Sequence, residues 1–335
     1  MHFIDGRAAS DANLGGAIRM TKKRRSAWVA LATCLGFGVL MAGPACEAQQ
    51  LSQGQAVIMV LPKVDGQLPS SVTQQDLAVK VNGKNAKVTH WGPIQPPNNQ
   101  IELVLLIDSG ARSSLGRQMN DIEKFMQGLP PNIKAAIAYM QNGQAVFAGP
   151  LTSDRAEILK NLHLPGGGSG ISASPYFCLS DLAKNWPGRD PLARREVIMV
   201  TDGVDAYNRR YDPEDPYVEA AISDATRAHL VVYAIYWMNQ GFADRTEGAN
   251  DAGQNLLVQV TQATGGKSFW QGMGNPVSFQ SYFDELLRRF KNQYEIGFTA
   301  AGEDKPSVVQ FQLKLHAPGT EIDAPQRVLV VPAAN

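Results

Sequence analysis

Ile101-Glu-Leu-Val-Leu-Leu-Ile-Asp108-Ser109-Gly110 and Glu196-Val-Ile-Met-Val-Thr-Asp202-Gly203 decide the reading of this chain. Each is an apolar, β-branched run that stops abruptly at an aspartate. Apolar residues at successive rather than alternate positions read as a strand buried on both faces, as inside a parallel sheet. An aspartate at the carboxyl end of such a strand stands where open α/β sheets place their ligand sites. The pair predicts one crevice faced by two carboxylates, the arrangement of an oxygen-ligand metal site or of its relic.

Around these runs, strands and helices alternate from Gln100 onward. Met119, Ile122, Phe125 and Met126 recur at helical spacing, and Ala135–Met140 and Ala145–Ala148 read as strands. Ser153-Asp154 caps a helix, and another ends at Trp186-Pro187-Gly188. Asp215-Pro216 reads as an N-cap with proline at N1, opening a helix to about Arg227. Leu230–Trp237 is a buried strand, Leu256–Thr264 a helix stopped by Gly265-Gly266, and Phe279–Phe290 the last helix. The pattern predicts an α/β fold class: a doubly wound, mostly parallel, Rossmann-like sheet. Both flanks have β character, with an Asn82-Gly83 hairpin near the start and strand runs from Gln293 to Pro332. They are expected to pair into one small β module.

At 335 residues, with 44% hydrophobic and 19% charged content, the chain has room for a real core. A formal charge of zero gives no argument for nucleic-acid binding. Lys22-Lys-Arg-Arg25, the apolar run Ala27–Gly43 and the small residues around Cys46-Glu47-Ala48 form the three parts of a secretory signal. Cleavage is expected after Ala48, with Met20 as an alternative start and lipidation at Cys46 as the alternative processing. The exported, periplasmic or extracellular chain then keeps Cys178 as its cysteine, plus Cys46 if lipidated, so no disulfide framework is expected. Membrane association is expected only through an uncleaved signal or Cys46.

Leu105-Leu-Ile-Asp-Ser109, Val200-Thr-Asp-Gly-Val-Asp205, Thr264-Gly-Gly-Lys267 and Lys291-Asn-Gln-Tyr294, in this order and spacing, resemble the von Willebrand factor A-type domain. More narrowly they resemble the exported, acidobacterial von Willebrand factor A-related proteins, over residues from about 55 to 331. The implied organisation is a signal at 1–48, an N-terminal β segment and linker at 49–98, an A-like domain at 99–298 and a C-terminal β segment at 299–335. In that family a metal-ion-dependent adhesion site combines Asp-x-Ser-x-Ser, a threonine from a later loop and an aspartate in a Thr-Asp-Gly turn.

The resemblance carries the first aspartate onto Asp108 and the last onto Asp202, with Ser174 the best match for the threonine and Ser172 the second. The two motif serines fall on Gly110 and Arg112, which breaks the pattern. Mg²⁺ wants near-octahedral oxygen ligands; Gly110 supplies none, and a guanidinium at 112 repels the ion and is expected to pair with Asp108 or Asp202 instead. Ser109, Ser113 or Ser114 could substitute only if the loop shifted register. Asp108, Ser109, Arg112, Ser174 and Asp202 are therefore the candidate binding residues of a degenerate adhesion site. No cofactor is expected; if Mg²⁺ or another divalent cation binds, Asp108, Ser174 and Asp202 would hold it. The implied function is non-enzymatic binding of a protein partner, for adhesion or scaffolding. The alternatives are a metal-assisted hydrolase using the crevice carboxylates and a structural envelope protein.

Other signals read as structural. Gly168-Ser-Gly170-Ile-Ser-Ala173 lacks the strand and acidic residue of a dinucleotide site, and Gly266-Lys267-Ser268 follows a helix, the wrong order for a phosphate loop. Asp202, Asp205, Asp212, Glu214 and Asp215 form an acidic rim interrupted by Arg209 and Arg210. His229 is expected to begin a buried strand as a satisfied structural residue, and Cys178 to lie in the core.

Overall fold

The computed structural model describes residues 51–63, 71–166, 174–208, 214–239, 247–302 and 304–333. The leader at 1–48, Ser172, the 168–173 glycine motif, Arg209, Arg210 and Asp212 lie outside the described residues. The chain runs from β1 (Leu51–Pro62), β2 (Leu77–Val81) and β3 (Lys84–Pro93) into β4 (Ile101–Asp108), a 3-10 stretch (Ser109–Gln118) and α1 (Met119–Gln127). It continues through β5 (Ile133–Gln141), β6 (Gln144–Phe147), α2 (Arg155–Lys160), α3 (Pro175–Lys184) and β7 (Arg194–Thr201). Next come α4 (Pro216–Arg227), β8 (Leu230–Tyr236), α5 (Glu247–Thr264), β9 (Ser268–Phe269) and α6 (Gln280–Lys291). The last strands are β10 (Gln293–Ala301), β11 (Ser307–Leu315), β12 (Thr320–Asp323) and β13 (Arg327–Pro332). No helix among the described residues is long and apolar enough to cross a membrane.

The larger sheet has seven strands in the order β10-β3-β2-β11-β13-β1-β12, and β1 also pairs with β10. That last ladder, Leu51–Met59 against Gln293–Ala301, closes six antiparallel strands into a barrel. The expected fold class is corrected here. A doubly wound, mostly parallel, Rossmann-like sheet with a small β module does not describe the chain, because its larger sheet is antiparallel and closed. The physical reason is edge satisfaction: closure pairs backbone groups that an open flap of flanking strands would leave exposed.

Local chemistry explains the barrel's pieces. Asn82 and Gly83 hold φ values of 48° and 77°, the left-handed pair of a tight hairpin turn, and Val81 sits opposite Lys84. Along β1, Ile58 and Val60 enter the barrel core with Phe298 and Phe311, while Met59 and Leu61 enter the neighbouring core with Phe283 and Leu286. The Ile58–Leu61 portion is apolar at every position because its two faces serve two cores.

The second sheet has six strands in the order β6-β5-β4-β7-β8-β9 and is mixed. The β4–β5, β4–β7, β7–β8 and β8–β9 ladders are parallel, and β6 is antiparallel to β5. Leu103, Leu105 and Ile107 pack with α1, α2 and α6, whereas Val104 and Leu106 pack with α3, α4 and α5. Each such side chain contributes about 1.5–3 kcal/mol on burial, so the continuous apolar run of β4 fixes it in the middle. The parallel register aligns the strand ends and sets Asp108, at the tip of β4, beside the end of β7. Cys178 is fully buried in the core, and burial pushes its thiol up to about 12. His229 stands immediately before the buried strand β8; it is exposed, with φ at 56°, and turns the chain from α4 into β8.

Candidate functional site

The Asp108 carboxylate is 1% exposed and fully engaged by three donors. Its Oδ1 accepts from the Gly110 amide at 2.8 Å, and its Oδ2 from Thr201 Oγ1 at 2.6 Å and Asn239 Nδ2 at 2.9 Å. The Thr201 hydroxyl also accepts from the Gly203 amide at 3.2 Å, so one side chain bridges the two strand-end turns. Asp202 Oδ1 accepts from the Val204 amide at 3.1 Å. Gly203 has φ 69°, and a Cβ there would lie 2.5 Å from the Gly253 carbonyl, so the turn presses against α5. That close approach requires glycine.

Ser174 is the N-cap of α3 and accepts from the Tyr176 amide at 3.3 Å. Its hydroxyl also faces Asp205, whose carboxyl is buried and held above the ordinary carboxylate range. Burial is the main cause, the Tyr207 amide at 2.7 Å opposes it, and the Asp215 carboxylate adds to the rise. Asp215 caps α4, its Oδ1 accepting from Tyr217 and Val218 and its Oδ2 from Asn208. Tyr176 donates its hydroxyl to the Gly203 carbonyl at 2.7 Å, tying α3 to the Thr-Asp-Gly turn. The structure thus brings together Asp108, Thr201 and Asn239 in one cluster, and Ser174, Asp205 and the Asp215 cap in another.

Arg112 sits between two 3-10 turns at φ 47° and ψ −141°. It is not among the donors to Asp108, one of the two carboxylates expected as its partner: that carboxylate accepts from Gly110, Thr201 and Asn239. Arg112 Nε is buried with no hydrogen-bond partner among the described residues. Ser109 is buried. Ser114 does not stand in as a ligand, because its hydroxyl donates to the Ala111 carbonyl at 2.6 Å and accepts from Trp237 Nε1 at 2.9 Å.

The residues present do not fit an adhesion-type cation. The position of the first motif serine, Gly110, is crowded by Asn239: a Cβ there would lie 2.6 Å from Asn239 Nδ2. Where the sequence resemblance implies a hydroxyl oxygen, the Asn239 amide donates to Asp108 instead. Among the described residues, no group of three or more His, Cys, Asp or Glu gathers with metal-ligand geometry.

Sequence reading missed Thr201 and Asn239. Thr201 lay inside the quoted run, and its place before Asp202 on a strand otherwise apolar was a usable signal. Asn239 follows Leu230–Trp237 by two residues and gave none. A surface trio was also missed: Phe177 lies 5.1 Å from Tyr207 and 4.8 Å from Tyr217, and Tyr207 is 60% exposed. These rings sit on α3, the Asp205 loop and α4, beside the crevice.

No family model and no curated protein matches the sequence. Among solved structures the chain is similar to an aerotolerance-related membrane protein from Bacteroides fragilis, at 14% identity and TM-score 0.41, over 57% of this chain and 98% of that one. It is similar to the manganese-loaded TRAP protein of Plasmodium vivax, at 14% identity and TM-score 0.36, over 75% and 98% of the two chains. It is also similar to the pilus adhesin SpaC of Lactobacillus rhamnosus GG, at 9% identity and TM-score 0.41, over 82% of this chain and 49% of that one. With overlap of this extent, the functional reading rests on the chain's own geometry.

Proposed function

We propose that this chain is an exported, non-enzymatic binding module of the von Willebrand factor A-like type, holding a protein partner at the carboxyl edge of its mixed sheet. The observation that carries the reading is the commitment of Asp108 to Gly110, Thr201 and Asn239. A buried carboxylate whose oxygens are taken up by three donors of its own chain has little left to offer a substrate or a cation. It serves instead as a keystone under the loops that face the partner.

Two features support a protein-facing edge. Arg112 is held in a backbone conformation that costs a non-glycine residue about 1–3 kcal/mol, and such strain concentrates at binding positions. The Phe177, Tyr207 and Tyr217 rings provide aromatic contact area of the kind enriched at interfaces. In this reading the adhesion site is degenerate, and Arg112 supplies directly the positive charge that a cation would supply elsewhere. An acidic group of the partner is its counterpart.

The test is affinity capture from the native envelope with the wild-type protein and with Arg112→Ala, each with and without a chelator. The expected result is a partner retained by the wild-type protein whether or not chelator is present, and lost with Arg112→Ala. Capture that depends on Mg²⁺, Mn²⁺ or Ca²⁺ would overturn the degenerate-site reading. Chelator-sensitive hydrolytic turnover would overturn the non-enzymatic one.

A further inference from the structure

A groove of about 650 Å³ opens where the barrel meets the amino-terminal edge of the mixed sheet, the edge opposite Asp108. Its floor is the start of β7 and β8, and its walls include β1, β3, β10 and β13 of the barrel. Arg194, Arg195 and Arg327 line it, together with His90 and His229, against the single carboxylate of Glu295. Although one side of His229 is exposed, its ring is partly desolvated against the groove, and that desolvation, then the Arg195 charge, lower its pKa. The fixed charge of the groove is therefore that of the guanidinium groups. A volume of this size matches a small-molecule site rather than a packing defect.

The arginines are held in place yet incompletely used. Arg195 Nη1 donates to the Ala228 carbonyl at 3.3 Å while its guanidinium lies over the Trp186 ring at 5.7 Å. Arg327 is 3.8 Å from Glu219, a loose pair at a half-exposed position. Arg194 is 9% exposed, and only its Nη2 has an acceptor, the Asn99 carbonyl at 3.3 Å. Its Nε and Nη1 donate to nothing among the described residues. Those two nitrogens are closed off from solvent, so what Arg194 brings to the groove floor is its fixed positive charge. Glu196, two residues along β7, offsets only part of this charge at neutral pH, because burial raises its carboxyl to about 7. Val57, Leu192 and Leu329 add an apolar wall beside the charged floor.

We propose that this groove binds a small organic oxyanion, an apolar body bearing a carboxylate or a phosphate group. The apolar wall covers the body, and Arg194, Arg195 and Arg327 receive the charged end. The site is independent of the partner-binding edge, which lies at the other end of the same strands.

Calorimetric titration of the purified protein with benzoate, phenyl phosphate and neutral benzyl alcohol tests it, the two anions separating a carboxylate from a phosphate preference. At least one anion is expected to bind saturably and about tenfold or more tighter than benzyl alcohol. The Arg195→Gln, Arg327→Gln double variant is expected to weaken that anion by about tenfold or more, with an unchanged melting temperature in the absence of ligand, whereas Arg112→Ala leaves it unaltered. Equal binding of benzyl alcohol, no binding of either anion, or an unchanged affinity in the double variant overturns the proposal. If the double variant melts early, Arg327→Gln alone is read in its place, and an unchanged anion affinity there overturns it equally.

Discussion

Thr201 Oγ1 donates to Asp108 Oδ2 at 2.6 Å, joining the carboxyl ends of β4 and β7 through one buried hydroxyl. The same oxygen accepts from the Gly203 amide, so the bond also shapes the Thr-Asp-Gly turn. Replacing Thr201 by valine keeps the shape and removes both bonds. The buried Asp108 carboxylate then loses a donor that it cannot replace from water, at a cost of about 2–3 kcal/mol. Urea denaturation is expected to show that loss; a Thr201→Val midpoint equal to wild type would contradict the bridging role.

Gly110 and Asn239 form a second dependent pair. Gly110→Ser introduces the serine that the sequence resemblance implies but drives its Cβ against Asn239. Overpacking of this kind costs about 1–3 kcal/mol. A lowered melting temperature is expected for Gly110→Ser, recovered in part by adding Asn239→Ala. A single variant as stable as wild type would show that the loop has room for the motif after all.

Glu196 gives the chain a pH-dependent term. It is wholly buried on β7, and Gln293 Nε2 of β10 donates to its Oε1 at 2.7 Å. Burial raises its carboxyl from 4.5 to about 7, against the opposing effects of Gln293 and Arg194. The folded state therefore binds the proton more tightly than the unfolded state. The contribution to stability is fully present below pH 4.5 and is lost as pH rises through about 7. Its size is on the order of 3 kcal/mol. Glu196→Gln is expected to flatten stability between pH 5 and pH 8 and to exceed wild type at the upper end. Parallel pH profiles for the two proteins would remove Glu196 as the source.

Asp215 caps α4 through two backbone amides and holds Asn208 with its other oxygen. Asp215→Ala is expected to cost about 1–2 kcal/mol, as other N-cap losses do. It should also loosen the loop that carries Tyr207. Hydrogen exchange across residues 203–208 is expected to quicken in the variant; unchanged protection there would mean that Asn208 and the cap act independently.

Much of the mixed sheet was legible in the residues. Asp154 and Asp215 cap the helices that their sequence positions implied, and Asn82-Gly83 makes the expected turn. Asp108 stands at the end of a strand, as its apolar run predicted. What the residues did not announce lay far along the chain. Arg112 read as a partner of Asp108 or Asp202, and no local signal pointed to Asn239, 131 residues from Asp108, as the donor.

The sequence by itself determined the strand and helix segments of the mixed sheet, their caps and the two aspartates at its edge. Those properties depend on periodicity and on hydrogen bonds within a few residues. Only the tertiary structure decided that β1 and β10 close a barrel, that Asn239 lies against Gly110 and donates to Asp108, and that Gln293 meets Glu196. A strand's alternation encodes which face is buried but not which distant strand pairs with it. A carboxylate at a strand end encodes a place for a donor, and the fold chooses the donor.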